Sequence, residues 1–275
     1  MRLEAFILIE SARGKAISKE QAIALMRKNC SQALYGYTRG NILYRGVNHN
    51  MDEYISYSPV GIRKSRNTQN YYTLLMDNSA RWKDYPKRSK SFICSSSFAF
   101  AAGFGDVYSV WPYNGAKVGV APARDLWQSF YDSLHGNSLN GFNHTLGQML
   151  KMSGASFNDT NVTSLIKAMN TLDDKLRKGE IDFNDMVRKL DIGMTWITNS
   201  YKNNYHLYEV IDKILDPKTN GFKVVKVGQK YEDGGDSREC WTDSPCIFVR
   251  RAAKSSNKDM ISPTEDILKE LGYGL

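Results

Sequence analysis

Segments with strand character and segments with helical character occupy separate parts of this sequence, and this separation predicts an α+β fold. Short apolar runs typical of strands fall at 42–47, 91–94 and 106–122, and strand character returns from 221 to 251. Between these two groups, from about 124 to 215, apolar residues recur with helical spacing. No proline occurs between Pro122 and Pro217, so nothing in this stretch forbids helices. We therefore expect one domain over 1–275, with a helical insertion at 124–215.

The N-terminal part, residues 1–40, is predicted to be a helical lead-in. Ser18 is followed three residues later by Gln21, which is a capping-box pattern for a helix start. The same pattern recurs near the C-terminus, where Glu265 lies three residues after Ser262 and a proline stands between them. Both sites should begin a helix.

Three segments of the central region call for individual predictions. "YYTLLMDN" at 71–78 could form a helical turn or a strand. "FAFAAGFG" at 98–105 is small and apolar and predicts a short helix that ends at glycine. "DVYSVWP" (106–112) and "AKVGVAP" (116–122) flank the turn signal "YNG". The last two segments are therefore predicted to pair as strands.

Composition excludes several classes of protein. Hydrophobic residues make up 41% and charged residues 24% of the 275 positions, which are ordinary values for a globular chain. No apolar run reaches the ~18 residues that a membrane span requires, so we expect a cytoplasmic protein. The four cysteines show neither CxxC nor zinc-finger spacing. They are predicted to be free thiols, and we expect no metal site.

Positive charge predicts an anionic partner. The net charge is +8, and basic residues concentrate at 61–67 and 81–91. Nucleic acid, a phosphate-rich small molecule and an acidic protein all fit this charge. The two segments are either solvated loops or parts of an anion-binding face.

Three polar features stand within or beside apolar strands. Arg45 lies inside "ILYRGV", where it either points to water from an edge strand or clamps a phosphate. Ser95, Ser96 and Ser97 follow "SFIC" and form either an ordinary turn or cap, or a brace for a second strand. Glu239 begins a late strand and is either an edge carboxylate or a group that stabilises a developing cation.

Together these features resemble the ADP-ribosyltransferase superfamily, in its R-S-E branch of bacterial toxins and phage-encoded modifiers. That branch has an aromatic-Arg-Gly motif, matched by Tyr44-Arg45-Gly46. Its Ser-Thr-Ser motif is matched by Ser95–Ser97 with serine in the middle, and small residues with Phe104 and Gly105 follow. The resemblance covers about 40–122 and 221–251. It implies a split, mostly antiparallel β-sandwich, and a toxin-like or phage-encoded enzyme that would act in the host cytoplasm.

The resemblance also implies a site that uses NAD+ as substrate and no metal. Arg45, Ser95 and Glu239 would be catalytic. Arg45 would hold a phosphate, Ser95 would orient either Glu239 or the nicotinamide ribose, and Glu239 would bind the ribose 2′-hydroxyl. The residues implied to contact NAD+ are Arg45, Gly46, Ser95, Ser97 and Phe104. An aromatic side chain would stack on the nicotinamide, with Phe104 and Tyr108 as the two candidates.

The third motif departs from the family pattern. The family has Glu-x-Glu, whereas this chain has Ser237-Arg238-Glu239, so the upstream acid is replaced by serine. This puts arginine in doubt as the acceptor of the ADP-ribosyl group. Asp236 and Asp243 lie close enough either to take the place of the missing acid or to compete with it in the alignment of the motif.

Three functions are therefore expected in order of preference. The first is mono-ADP-ribosyl transfer from NAD+ to a protein or a nucleic acid. The second is NAD+ hydrolysis, with water as the acceptor. The third is a non-catalytic basic binding module on the same scaffold.

Overall fold

The computed structural model describes residues 14–47, 51–59, 69–158, 160–190, 200–202, 204–231, 237–252 and 262–273. The chain divides into two compact units. The first takes the described residues of 1–66, 85–125 and 222–275, and the second takes those of 67–84 and 126–221. The second unit therefore contains nearly all of the region expected as a helical insertion. It also contains residues 67–84, which lie earlier in the chain.

Nine strands in the described residues form one antiparallel sheet in the first unit. They are β1 (Gly14–Ala16), β2 (Leu43–Val47), β3 (Tyr54–Tyr57), β4 (Phe92–Ser95), β5 (Asp106–Pro112), β6 (Lys117–Val120), β7 (Lys223–Lys226), β8 (Glu239–Thr242) and β9 (Cys246–Ala252). Their order across the sheet is β1-β3-β9-β5-β2-β4-β8-β6-β7.

The sheet consists of a five-strand group and a four-strand group. The junction lies between β2 and β4, where Tyr44 and Ser95 form the registered pair. By contrast, β2 pairs with β5 over five residues and β4 pairs with β8 over four. The predicted α+β class is confirmed, with an antiparallel sheet and separate helices.

Nine α-helices lie in the described part of the chain. The first unit contains α1 (Lys19–Asn29), α2 (Ser31–Tyr37), α4 (Phe98–Ala102) and α9 (Pro263–Glu270). The second contains α3 (Tyr71–Asn78), α5 (Leu139–Met152), α6 (Val162–Arg177), α7 (Phe183–Lys189) and α8 (Leu207–Ile214). Short 3₁₀ turns occur at Ala80–Trp82, Arg88–Lys90 and Leu126–Gln128.

Both predicted capping boxes are present. Ser18 accepts a hydrogen bond from the Gln21 backbone N–H at 3.2 Å, and the Gln21 side chain accepts one from the Ser18 N–H. Ser262 and Glu265 make the same reciprocal bonds at the start of α9. Residues 71–78, which could have been helix or strand, are helical.

The predicted pairing of 106–112 with 116–122 is wrong. Both segments are strands, but β5 lies between β2 and β9, whereas β6 lies between β7 and β8. The turn that joins them is held by other elements. The Asn114 N–H donates to the Asn29 carbonyl oxygen at 2.6 Å, and the Gly115 N–H donates to Gln32 Oε1 at 2.8 Å. These bonds to α1 and α2 direct the chain away from a hairpin.

The two faces of the sheet carry separate apolar clusters. On one face, Leu43, Tyr108 and Phe248 pack with Cys94 and Cys240. On the other, side chains of β5 and β9 pack against helices α1, α2 and α9; they are Trp111, Ile247 and Val249. These clusters assign each strand residue to a face, because side chains alternate along a strand.

The four cysteines are free and buried, as predicted. Burial raises the pKa of the Cys30 thiol to about 12. None of the described helices has the length and apolarity needed to cross a membrane.

Candidate active site

The strands that carry the three motifs lie side by side. Strand β4 lies between β2 and β8, so the serine run is flanked by the aromatic-Arg-Gly motif and by the glutamate. In the register, Ser95 is paired with Tyr44 on one side and with Glu239 on the other. Residues separated by 142 positions or more along the chain, such as Ser95 and Glu239 by 144, thus become direct neighbours.

The sheet does not direct all three predicted catalytic side chains to one face. Ser95 and Glu239 are cross-strand partners and therefore share a face with Tyr44. Arg45 follows Tyr44 and is paired with Tyr108, so alternation directs its side chain to the face of Leu43. Its Nη1 donates to the carbonyl oxygen of Ile93 on β4. Arg45 thus bridges the two strand groups at their junction.

The three serines make different contacts. Ser95 Oγ lies 3.3 Å from Ser237 Oγ and accepts a hydrogen bond from the Ser97 N–H at 3.0 Å. Ser96 bonds twice to Arg238: its Oγ accepts from the Arg238 N–H at 2.9 Å, and its N–H donates to the Arg238 carbonyl oxygen at 3.0 Å. These contacts fix the start of β8, as the strand-bracing interpretation predicts.

Ser97 acts as the N-cap of α4. Its Oγ accepts a hydrogen bond from the Phe100 N–H at 3.3 Å. A Cβ at Gly46 would collide with the Ala101 carbonyl oxygen, because α4 lies against β2 at this point. Gly46 is therefore required for the packing of α4.

Glu239 lies in a buried ion pair. Its Oε1 is 2.6 Å from Nη2 of Arg88, and the two side chains are 11% and 3% exposed. The Arg88 guanidinium also lies over the Trp241 ring, 5.5 Å from the centroid. The Glu239 backbone bonds to the segment that follows β6, through the Ala121 N–H and the Ala123 carbonyl oxygen. The carboxylate is thereby held in a defined orientation beside Ser95.

The sequence pattern does not single out Arg88, although it lies in the basic segment 81–91. The usable signal is its place on a short turn directly before the buried strand "FICS". The other basic residues of that segment are less buried than Arg88: Arg81, Lys83 and Lys90 are exposed, and Lys87 is half-buried. The other basic segment, 61–67, lies outside the described residues.

The two aromatic candidates for stacking on the nicotinamide differ in exposure. Tyr108 is fully buried in the sheet, and its hydroxyl donates to the carbonyl oxygen of Met51 at 3.1 Å. Phe104 is half-buried and packs edge-on against Phe100, with 5.3 Å between the ring centroids. Burial thus removes Tyr108 as a ring that could contact a ligand and leaves Phe104.

The two aspartates considered as substitutes for the missing acid have different outcomes. Asp243 Oδ2 accepts a hydrogen bond from the Lys87 backbone N–H at 2.9 Å. It lies past the far end of β8, four residues beyond Glu239, and serves as a structural acceptor there. Asp236 lies outside the described residues. The described neighbour of Ser95 at the upstream position is Ser237.

Within the described residues, no group of three or more His, Cys, Asp or Glu side chains is placed to hold a metal ion. Comparison of the chain with protein-family models, with curated proteins and with solved structures finds no match.

Proposed function

We propose that this protein cleaves the nicotinamide–ribose bond of NAD+ and transfers ADP-ribose to a protein or nucleic-acid acceptor. The observation that carries the proposal is the pairing of Ser95 with Glu239 between neighbouring strands. A hydroxyl and a carboxylate in this arrangement suit a sugar ring whose anomeric carbon becomes positively charged. The five-plus-four arrangement of strands, joined at the β2–β4 junction, supports the split sheet of the ADP-ribosyltransferase type.

The reaction assigns a role to each group. Glu239 accepts a hydrogen bond from the ribose 2′-hydroxyl and stabilises the oxocarbenium-like transition state. Arg88 holds the glutamate through the ion pair. Ser95, the cross-strand partner of Glu239, positions the glutamate or the ribose. The C1′–N bond breaks, and nicotinamide leaves as a neutral molecule with the bonding electron pair. The acceptor then forms a bond to C1′ and loses its proton to solvent.

Release of nicotinamide from NAD+ tests the proposal. Purified protein is incubated with NAD+ labelled in the adenylate part, with and without cell lysate. We expect labelled macromolecules when lysate is present. We expect Glu239→Gln to lower the rate of nicotinamide release by about 10²- to 10³-fold, the loss typical of a group that stabilises transition-state charge. Glu209→Gln, an exposed carboxylate on α8, is the matched control and should retain the wild-type rate.

The other outcomes distinguish the alternatives. Release of nicotinamide without labelled macromolecules indicates NAD+ hydrolysis, with water as the acceptor. An unchanged rate in Glu239→Gln contradicts the assigned site, even if NAD+ is consumed.

A non-catalytic basic binding module is the second candidate. It is favoured by two contacts: Glu239 is in an ion pair with Arg88, and Arg45 bonds to a backbone carbonyl oxygen. In this candidate, both contacts serve only to hold the fold together. This candidate predicts no heat of binding with NAD+ and salt-sensitive binding of nucleic acid or of an acidic protein.

A further inference from the structure

A second arginine lies on the face that carries Ser95 and Glu239. Along β9, Ile247 and Val249 pack in the helix-covered cluster, whereas Phe248 packs in the opposite one. The register with β5 shifts between Arg250 and Ala252, so Arg251 is an extra residue of β9 and alternation does not fix its face. Its contact with Tyr44 does. Its guanidinium carbon lies 5.7 Å from the centre of the Tyr44 ring, on the face of Tyr44. The face therefore presents, from β9 to β8, a guanidinium, an aromatic ring, a hydroxyl and a carboxylate.

The hydrogen-bonding state of Arg251 differs from that of the nearby arginines. Its Nη1 is buried and has no hydrogen-bond partner among the residues that the structure describes. In the described part of the chain, no carboxylate lies within ion-pair distance of it. By contrast, Arg45 donates to the Ile93 carbonyl oxygen and Arg88 pairs with Glu239. The Nε of Arg250 also has no described partner, but its Nη2 donates to the Met51 carbonyl oxygen. A buried donor without an acceptor is destabilising, so an anionic ligand that supplies the acceptor binds with a gain.

The Tyr44 ring fixes this guanidinium. A guanidinium over an aromatic face keeps its N–H groups directed outward in the plane, where a phosphate can accept two of them. Phe98, which is 38% exposed, packs edge-on against Tyr44 with 5.8 Å between centroids and supports the ring from α4. The Arg251 guanidinium therefore lies beside the Tyr44–Phe98 pair of aromatic rings, in a position to bind an oxyanion.

We propose that Arg251, supported by Tyr44, is the phosphate-binding residue of this face and takes a pyrophosphate group. The assignment of that group to a dinucleotide rests on the proposed function. The pyrophosphate then lies at the β9–β2 side and the reacting ribose lies at the β4–β8 side, in the order Arg251, Tyr44, Ser95, Glu239. Arg45, which the resemblance assigns to the phosphate, instead joins the two strand groups.

Calorimetric titration of the full chain with NAD+ and, separately, with inorganic pyrophosphate tests the subsite. Arg251→Gln should weaken both affinities by about tenfold to a hundredfold, because a charge-assisted hydrogen-bonded pair is lost. Arg251→Lys keeps the charge but not the two-pronged geometry and should weaken both by a smaller factor. Arg250→Gln is the matched control: it is the adjacent arginine, on the opposite face, and should bind as the wild type does.

Each result has a separate meaning. If Arg251→Gln and Arg251→Lys bind both ligands as tightly as the wild type, or if Arg45→Gln alone weakens them, the subsite is overturned and the proposed function is not. If the wild type binds pyrophosphate through Arg251 but not NAD+, the subsite stands and the proposed function fails. If the wild type binds neither ligand, both are overturned. Thermal unfolding of each variant shows whether a loss of affinity is caused by misfolding. If Arg251→Gln is misfolded, the affinity of Arg251→Lys provides the test of the subsite.

Discussion

The Arg88–Glu239 pair is a buried contact between two charges, and its effect on stability depends on both partners being present. Removing two charges from water is costly, and their attraction offsets this cost only when the geometry is good. Here the oxygen–nitrogen distance is 2.6 Å, and the Trp241 ring covers the guanidinium. Such a pair contributes little net stability, but loss of one partner leaves the other charge buried.

Substitution of one partner should therefore cost more than substitution of both. We expect Arg88→Met to lower the free energy of unfolding by about 3–5 kcal/mol, because the Glu239 carboxylate loses its ion-pair partner. The double variant Arg88→Met/Glu239→Leu should be clearly less destabilised than the sum of the two single changes. Urea unfolding of the four proteins in this cycle provides the measurement.

Lys90 provides the control for this cycle. It lies on the same 3₁₀ turn as Arg88 but is exposed, so Lys90→Met should change the free energy of unfolding by no more than about 0.5 kcal/mol. Additive effects of Arg88→Met and Glu239→Leu would contradict a coupled pair.

At the scale of residues, sequence patterns predicted only part of the candidate site. Ser95 and Glu239 carry motif signals, and the structure makes them neighbours. Arg88 and Arg251 carry none, because their roles depend on contacts with residues more than 150 positions away. A basic run also looks uniform in sequence, whereas burial distinguishes Arg88 from Lys90 in the structure.

At the scale of elements, local signals predicted where helices begin. Both capping boxes involve residues only three positions apart, so the sequence pattern directly names the two residues that form the hydrogen bonds. Strand pairing is different. The turn 113–115 looks like a hairpin turn, but α1 and α2 hold it, and β5 and β6 lie on opposite sides of the β2–β4 junction. Which strands pair depends on contacts between segments far apart in the sequence, and a local turn signal does not indicate those contacts.

The N-cap of α1 provides a test of the local signal. Ser18→Ala removes the acceptor for the Gln21 N–H and should lower the free energy of unfolding by about 1 kcal/mol. Ser18→Asn restores an acceptor of similar strength and should recover most of that loss. Urea unfolding midpoints measure both. Equal midpoints for wild type and Ser18→Ala would show that packing of α1 alone determines its start.

At the scale of the whole molecule, the chain builds two compact units with different interiors. The first is organised by the sheet, and the second by helices from two separate chain segments. Helical periodicity predicted the longer segment, 124–215. It could not predict that 67–84 belongs to the same unit, because that grouping depends on contacts between segments far apart in the sequence.

The helical unit has a polar anchor in its interior. Asp173 on α6 is 2% exposed; its Oδ1 accepts a hydrogen bond from the Tyr201 hydroxyl at 2.6 Å, and its carboxylate accepts one from the Leu207 N–H at 3.2 Å. Burial raises the pKa of this carboxyl, and the Tyr201 and Leu207 bonds oppose the rise. The anchor therefore joins α6 to the start of α8. The two hydrogen bonds replace those that water would donate to the buried carboxylate.

Tyr201→Phe should loosen this unit in a pH-dependent way. The carboxylate loses a donor, which costs about 1–3 kcal/mol of local stability at neutral pH, and its folded-state pKa rises further. A folded-state pKa above the unfolded value means that stability is fully present at low pH and is lost as pH rises through it. The destabilisation should thus shrink as pH falls towards the usual aspartate value of 3.8.

Hydrogen exchange at several pH values, corrected for the intrinsic exchange rate, measures this loss peptide by peptide. Peptides from α6 and α8 should exchange faster in Tyr201→Phe than in the wild type, because the anchor joins Asp173 of α6 to the first residue of α8. Tyr205→Phe removes a hydroxyl from a neighbouring ring that packs against Tyr201 with 5.6 Å between centroids, and it should leave the protection of α6 and α8 unchanged. A pH-independent effect of Tyr201→Phe, or an equal effect of Tyr205→Phe, would mean that ring packing and not the Asp173 carboxylate holds these helices together.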